Sequence, residues 1–294
     1  MLPNPALKEA YGEVVWLYVY RDFSRAGQDL LAERISLRFG VTSWPQLFLA
    51  DPQTLEILTH TGRSVESFMG AVKRTRVDKP RSLAALERTK EGERRAAELE
   101  KRGSLKLARK YLDDTDIVVR TRAMEIVADK DPKTIVKRAE ELLQVPSDPF
   151  RYSVCRVLEE AGDAHAARAL EAIVSKPKPS LNPNVLRMRA VKALGSCGDE
   201  KSVAVIAPFA QTGSYRNGLT NVSIDALVAI AERHKRSWPA VRAALKQGYP
   251  EPPPPGDARS MRACVALAKR IHKIVGKKPF PKVYDHKARE LLSR

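Results

Sequence analysis

Asn182-Pro-Asn-Val-Leu-Arg-Met-Arg-Ala-Val-Lys-Ala-Leu-Gly-Ser-Cys-Gly-Asp-Glu200, followed by an apolar segment to Ala210, is the stretch that decides the fold of this chain. Its plan is a striped helix, a glycine–aspartate stop and a second striped helix. The plan returns as Asp116–Leu143, Asp148–Val174 and Asn217–Leu245. With Ala123, Val154, Ala190 and Ile224 taken as equivalent, successive copies lie 31, 36 and 34 residues apart. A period of that size marks helix pairs piled into a solenoid, because one pair cannot bury its apolar stripes alone.

Each copy carries its own physical logic. Phe150, Val154, Val157, Leu158 and Ala161 fall at i, i+4, i+7, i+8 and i+11, one face of an α-helix. Gly162-Asp163 then supplies a stop and an N-cap for a second helix striped by Ala167, Leu170 and Val174. Gly198-Asp199 repeats the device ahead of Val203, Ile206 and Ala210. In the first copy Asp131-Pro132 places a cap and a proline at the first helical position, with Ile135, Ala139 and Leu142 behind them. The fourth copy sets Ile224, Leu227, Val228 and Ala231 before Trp238-Pro239 and Val241, Ala244 and Leu245.

The Arg-x-Arg-Ala segments Arg120–Ala123 and Arg187–Ala190, the Leu-Gly-x-x-Gly-Asp turn Leu194–Asp199, its degenerate version Glu160–Asp163 and the paired stripes together resemble the HEAT-like repeat family. The resemblance covers roughly half the chain. It implies an α-solenoid and, in most members, a protein-binding scaffold. A minority of such arrays bind nucleic acid, and a few are enzymes acting on DNA bases.

The first 77 residues read differently. Glu13–Tyr20 is β-branched and aromatic without alternation, as in a strand covered on both faces. Ser24 opens a helix through Phe39, and Gln46–Ala50 and Leu55–Thr61 form a hairpin across Asp51-Pro52-Gln53-Thr54. Ser64 caps a last helix bearing Val65, Phe68, Met69 and Val72. Phe39-Gly-Val-Thr-Ser-Trp-Pro45-Gln-Leu-Phe-Leu-Ala-Asp51, with the hairpin and Thr61-Gly62, resembles the carboxy-terminal half of a thioredoxin fold. The resemblance implies a cis peptide at Pro45 in a peptide-binding groove. The family's C-x-x-C half has no counterpart in this sequence. The expectation is therefore a truncated start, a minimal non-catalytic version, or a half-fold completed by another chain, with the first two favoured.

Composition narrows the classes. The three cysteines, Cys155, Cys197 and Cys264, are isolated and odd in number, which argues against a disulfide framework and for buried, inert thiols. The longest apolar run, Val14–Tyr20, is too short to span a bilayer, and Glu9 and Glu13 precede it where a signal peptide would be basic. No targeting segment is read, and the cytoplasm is the default compartment. The net charge of +17 lies almost wholly beyond residue 80, and residues 240–294 hold 13 basic against 4 acidic side chains. That asymmetry suits an acidic partner, whether nucleic acid, anionic lipid or an acidic protein surface, with an ordinary solvated helical surface as the alternative. The basic residues are not interleaved with stacking aromatics, which weighs against nucleic acid.

The sequence divides into a partial thioredoxin-like β-α-β-β-α domain (1–78), a helical linker (79–103), HEAT-like repeats (104–248), a proline-rich linker (249–256) that ends the array, and a basic helical extension (257–294). Lys79–Arg102 reads as a solvated connecting helix, and Ala258–Val275 as a basic amphipathic helix. The fold class is mostly α: an α-solenoid preceded by a small α/β half-domain.

Candidate site residues are few. Trp44 and Pro45 sit where the resemblance places a groove. Arg120, Arg122, Arg187, Arg189 and Lys192 lie on the first helices of their copies; they either line one surface as a basic ladder or form ion pairs between copies, each worth little. Asp113, Asp114 and Asp116 read as caps at a helix junction rather than as an acid pair. The five histidines lack ligand spacing, so no metal is expected, and no phosphate-cradling loop or nucleophile elbow points to a cofactor or a reaction. The leading expectation is a non-catalytic protein-binding scaffold. The alternatives are a redox-related protein whose C-x-x-C half lies upstream, and a nucleic-acid-binding solenoid.

Overall fold

The structure, a computed structural model, describes residues 5–10, 30–41, 46–51, 57–62, 64–75, 83–176, 183–216, 218–253, 257–276 and 280–284. These residues are mostly helical, with one two-stranded sheet among them. The chain divides into two units, Met1–Val127 and Ala128–Arg294. Trp44, Pro45 and the expected strand Glu13–Tyr20 lie outside the described residues.

In the first unit, α1 (Leu30–Arg38) precedes an antiparallel hairpin of β1 (Leu47–Ala50) and β2 (Ile57–Thr61), in which Leu47 faces Thr61, Phe48 faces His60 and Leu49 faces Thr59. The ladder slips between Leu49 and Ala50. Helix α2 (Val65–Thr75) follows a Ser64 hydroxyl that accepts from Ser67 N at 3.1 Å. Phe68, Ala71 and Val72 of α2 close a small core with Leu49 and with Leu7, which comes from the 3-10 turn Pro5–Ala10.

Helix α3 (Leu83–Arg102) departs from the solvated connector read from its charge. Ala96 and Leu99 are fully buried. Arg34 of α1 donates to Glu100 at 2.5 Å, and Arg38 donates to Glu93 at 2.8 Å and Asp116 at 3.3 Å. Arg95 forks onto Asp114 at 2.9 and 3.0 Å. Its acidic stripe is thus a partner for arginines far away in sequence, which local propensity does not reveal. Helices α4 (Leu105–Tyr111, capped by Ser104) and α5 (Ile117–Lys130) follow. Asp116 caps α5 by accepting from Val118 N at 2.9 Å and Val119 N at 3.2 Å. Gly92 of α3 lies against this carboxylate, and a Cβ there would collide with it.

The second unit is a succession of helices. Helices α6 (Pro132–Lys137) and α7 (Ala139–Leu142) break at Arg138, where one helix was expected. Next come α8 (Asp148–Ala161), α9 (Ala167–Ser175), α10 (Pro183–Cys197), α11 (Glu200–Ala210), α12 (Gly218–Arg233) and α13 (Trp238–Gln247). Gly162 ends α8 at φ 59°, in the left-handed region that suits glycine, and Asp163 caps the following turn. Asp199 and Ser202 form a reciprocal capping box at the start of α11.

Helix α10 packs against both α8 and α12, and α11 against both α9 and α13. Leu158, Leu170, Leu194, Ile206, Leu227 and Leu245 are fully buried between them. Each such side chain contributes about 1.5–3 kcal/mol of transfer free energy. Gly195 of α10 meets the backbone of Ala226 so closely that a Cβ would sit 3.2 Å from its Cα. Polar clasps repeat across the neighbours. Arg187 donates to the Val174 carbonyl at 2.9 Å, Arg233 to the carbonyls of Gly195 and of Gly198 (3.0 Å to the latter), and Ser202 to Glu171 at 2.6 Å.

The proline-rich segment does not end the packing. Helix α14 (Ala258–Val275), capped by Asp257, packs on α13 and buries Met261, Cys264, Leu267, Ala268 and Ile271. Pro250 and Pro253 are buried, and Tyr284 folds back to donate to the Pro250 carbonyl at 2.5 Å and to stack on Tyr249. Of this stretch, the described residues 249–253 are not helical, as expected. The aromatic return is what the prolines could not announce.

Two substitutions test this packing. Gly92→Ala gains about 1 kcal/mol of helix propensity but must displace the Asp116 cap and its arginine partner, so a net loss of about 1 kcal/mol or more is expected in urea unfolding. A stabilised variant would show that Asp116 is not held there. Arg233→Met removes two charge-assisted bonds at the rim of the packing and lowers stability by about 1 kcal/mol, seen as a lower urea midpoint at unchanged m-value.

Candidate functional site

The arginines and the lysine expected to form a ladder fall in both units, Arg120 and Arg122 in the first and Arg187, Arg189 and Lys192 in the second. Most are already engaged. Arg120 lies 3.7 Å from Asp113, and Arg122 pairs with Glu125 at 2.8 Å and with Glu100 at 3.5 Å. Arg187 clasps the Val174 carbonyl and lies over the Phe209 ring at 4.9 Å. Lys192 pairs with Glu159 of α8 at 2.9 Å. Lys192 thus makes an ion pair from one copy to another, whereas the acids near Arg120 and Arg122 lie at the α4–α5 junction, on α5 itself and on α3, Arg187 holds a carbonyl, and Arg189 is exposed.

A run of basic side chains lies on α14. Its 18 residues, Ala-Arg-Ser-Met-Arg-Ala-Cys-Val-Ala-Leu-Ala-Lys-Arg-Ile-His-Lys-Ile-Val, contain five lysines and arginines and no carboxylate. The apolar stripe turns inward onto α13. That forces Arg259, Arg262, Ala263, Ala266, Lys269 and Lys273 onto the opposite face, where all are exposed. Arg259, Lys269 and Lys273 make no ion pair among the described residues, whereas Arg270 is paired with Asp225 of α12. The cations of the last turns also oppose the negative end of the helix dipole, so the face is consistent with helix stability. From Arg259 to Lys273 the face runs about 21 Å at the helical rise.

Both flanks are anchored. At the amino end Arg216 bonds Asp257 at 3.0 Å and Ser260 at 2.7 Å. Along the side, Phe280 and Tyr284 pack at a ring separation of 5.5 Å, Phe280 meets His272 edge-on at 5.3 Å, and the Tyr249 hydroxyl lies 3.3 Å from His272 Nδ1. Sequence reading found the amphipathic helix but not its uncommitted outer face. The signal for it was a helix with basic side chains and no acidic ones.

Groups able to do chemistry are placed differently. All three cysteines are buried. Burial pushes the thiols of Cys155 and Cys197 up from 9.0 to about 12, the opposite of an activated nucleophile. Asp163 is held below its ordinary range by the backbone N–H and the ring of His165, so that carboxylate is committed to a cap. Among the described residues no group of histidines, cysteines and carboxylates is arranged to hold a metal ion, and no helix is long and apolar enough to cross a membrane.

No protein-family model matches the chain, and no curated protein or solved structure matches it.

The thiols give a pH signature. A folded-state pKa above the unfolded one means that the native protein keeps its proton longer. The stability this contributes is whole below about pH 9 and declines as pH rises toward about 12. Tyr284, pushed up to about 12 by burial, acts in the same direction. Urea unfolding from about pH 7 to about pH 11 should show a falling free energy. The double variant Cys155→Ala/Cys197→Ala should flatten that fall, and an unchanged slope would show that the thiols titrate normally in the folded state.

Proposed function

We propose that this chain is a non-catalytic scaffold: a HEAT-like α-solenoid preceded by a thioredoxin-like half-domain, binding a protein partner through the surface of its stacked helix pairs. The observation that carries the reading is the pair-to-pair continuity of α8–α13. Each first helix packs on the next first helix, each second on the next second, and arginines of later pairs clasp carbonyls of earlier ones. Stacked helix pairs present a surface of side chains, and binding by surface is what the reading assigns to them. The hairpin of β1 and β2 followed by α2 supports the half-domain part of the reading. The inert thiols weigh against the redox alternative, because attack on a disulfide needs a thiolate.

The test has two arms. A photo-crosslinking residue at the exposed Arg189 should capture a defined protein from the native cell, and the same residue on the α9 face at Arg168 should map the extent of the contact. The purified full chain should show no disulfide reductase turnover with insulin. Turnover abolished by Cys155→Ala, Cys197→Ala or Cys264→Ala would overturn the non-catalytic reading.

A further inference from the structure

We infer that the outer face of α14 is a docking surface for duplex nucleic acid, engaged through its phosphates and without regard to sequence. The inference rests on the non-catalytic reading above and adds a second partner at the far end of the packed helices.

Charge complementarity is the first argument. Arg259, Arg262, Lys269 and Lys273 project along about 21 Å of one helix face, no carboxylate interrupts them on that helix, and Arg259, Lys269 and Lys273 have no ion-pair partner among the described residues. Single-sign charge in a row is the arrangement that exchanges protein cations for the counterions condensed on a polyphosphate. An ordinary solvated face mixes signs. The second unit does so elsewhere, as in the pairs Lys192–Glu159 and Arg156–Glu160.

What the face lacks selects among anionic partners. Its uncharged positions, Ala263 and Ala266, are small. A protein partner would be expected to meet aromatic or aliphatic anchors at the centre of the patch, and none stands there. A membrane surface would call for large apolar side chains to enter the headgroup boundary. Among the described residues the only exposed large hydrophobics are Leu58 and Val283, neither on α14. Single strands are gripped by stacking on exposed rings, but the aromatic residues beside α14, Tyr249, Phe280 and Tyr284, are packed against its other side. Small alanines between long cations let the helix approach a groove about 12 Å wide while the cations reach the backbones on either side.

The experiment uses the full chain and a fluorescein-labelled duplex of random sequence, read by anisotropy. Three to four phosphate contacts give a salt slope of about −3, so affinity should fall about 60-fold between about 50 and 200 mM salt. Lys269→Ala/Lys273→Ala removes two exposed side chains, so the far-UV circular dichroism and the urea midpoint should not change. It should flatten the slope by about 2 and weaken binding at least about 10-fold at low salt. Lys201→Ala, exposed on α11, should leave the slope as it is.

Four results would overturn the inference. One is no duplex binding at about 50 mM salt. Another is a slope that ignores the α14 variant or responds equally to Lys201→Ala. A third is tighter binding of poly-glutamate than of duplex, which would assign the face to an acidic protein. The last is binding to phosphatidylserine vesicles with no binding to duplex, which would assign it to a membrane. A chain that fails on duplex yet still crosslinks a protein through Arg189 loses this inference and keeps the scaffold. A chain with reductase turnover loses the scaffold whatever the duplex does.

Discussion

The second unit depends on one constraint: an α-helix striped on one side has nowhere to hide the stripe except against another helix. Helix α10 shows it most clearly, since its apolar residues are used on two sides, against α8 and against α12. Leu186, Ala190, Leu194 and Cys197 alternate with Val191, Ala193 and Gly195 so that the buried surface wraps well over half of the helix. The closeness of α10 to α12 at Gly195 and Ala226 follows from the small size of both residues. A larger pair would hold the helix axes apart and open the interior on both sides. Once that spacing is set, the arginine clasps fall into range, because the carbonyls left free at the end of α10 lie within reach of Arg233.

Ion pairs play different roles in the two units. In the first, Arg34, Arg38 and Arg95 are each partly buried and engage carboxylates of α3 or of the α4–α5 junction. Asp114 and Asp116 do double duty, accepting both from arginine side chains and from backbone N–H groups at the start of α5. Removing either partner there strands a half-buried charge, which costs more than the pair contributes by existing. In the second unit Arg151–Asp148 is a buried pair at 3.4 Å, whereas Lys192–Glu159 and Arg270–Asp225 are partly exposed and contribute little to stability. Their effect is to neutralise the first-helix faces, which is why the bare face of α14 stands out.

The sequence made most helices of the second unit legible, the break at Arg138 excepted, because stripes, caps and glycine stops are local signals. Gly162, Asp163 and Asp199 stand where their chemistry places them. Two things escaped. The role of α3 depends on Arg34 and Arg38, whose partners are 55 to 78 residues away, and no local period encodes such a meeting. The proline run after Tyr249 reads as a terminator because prolines end helices. Whether packing resumes beyond it is decided by Tyr249, Tyr284 and Pro250 meeting in space. Part of the reading, Trp44 and Pro45 among it, falls on residues outside those described.

For the site, the same division between local and distant information explains what was seen and what was not. Every basic residue on a helix looks alike in sequence, whether a carboxylate from another element will claim it or not. Arg122, Arg187 and Lys192 drew attention because they lie on the first helices of the copies read from the sequence, yet there a neighbouring element supplies an acid or a carbonyl. Among the described residues α14 packs on α13, and the side chains of its opposite face are exposed, so charge placed there is open to another molecule. That face carries a row of cations where a solubilising cap would need only mixed polar residues. Placement on it, rather than charge count, therefore distinguishes its lysines and arginines from the rest.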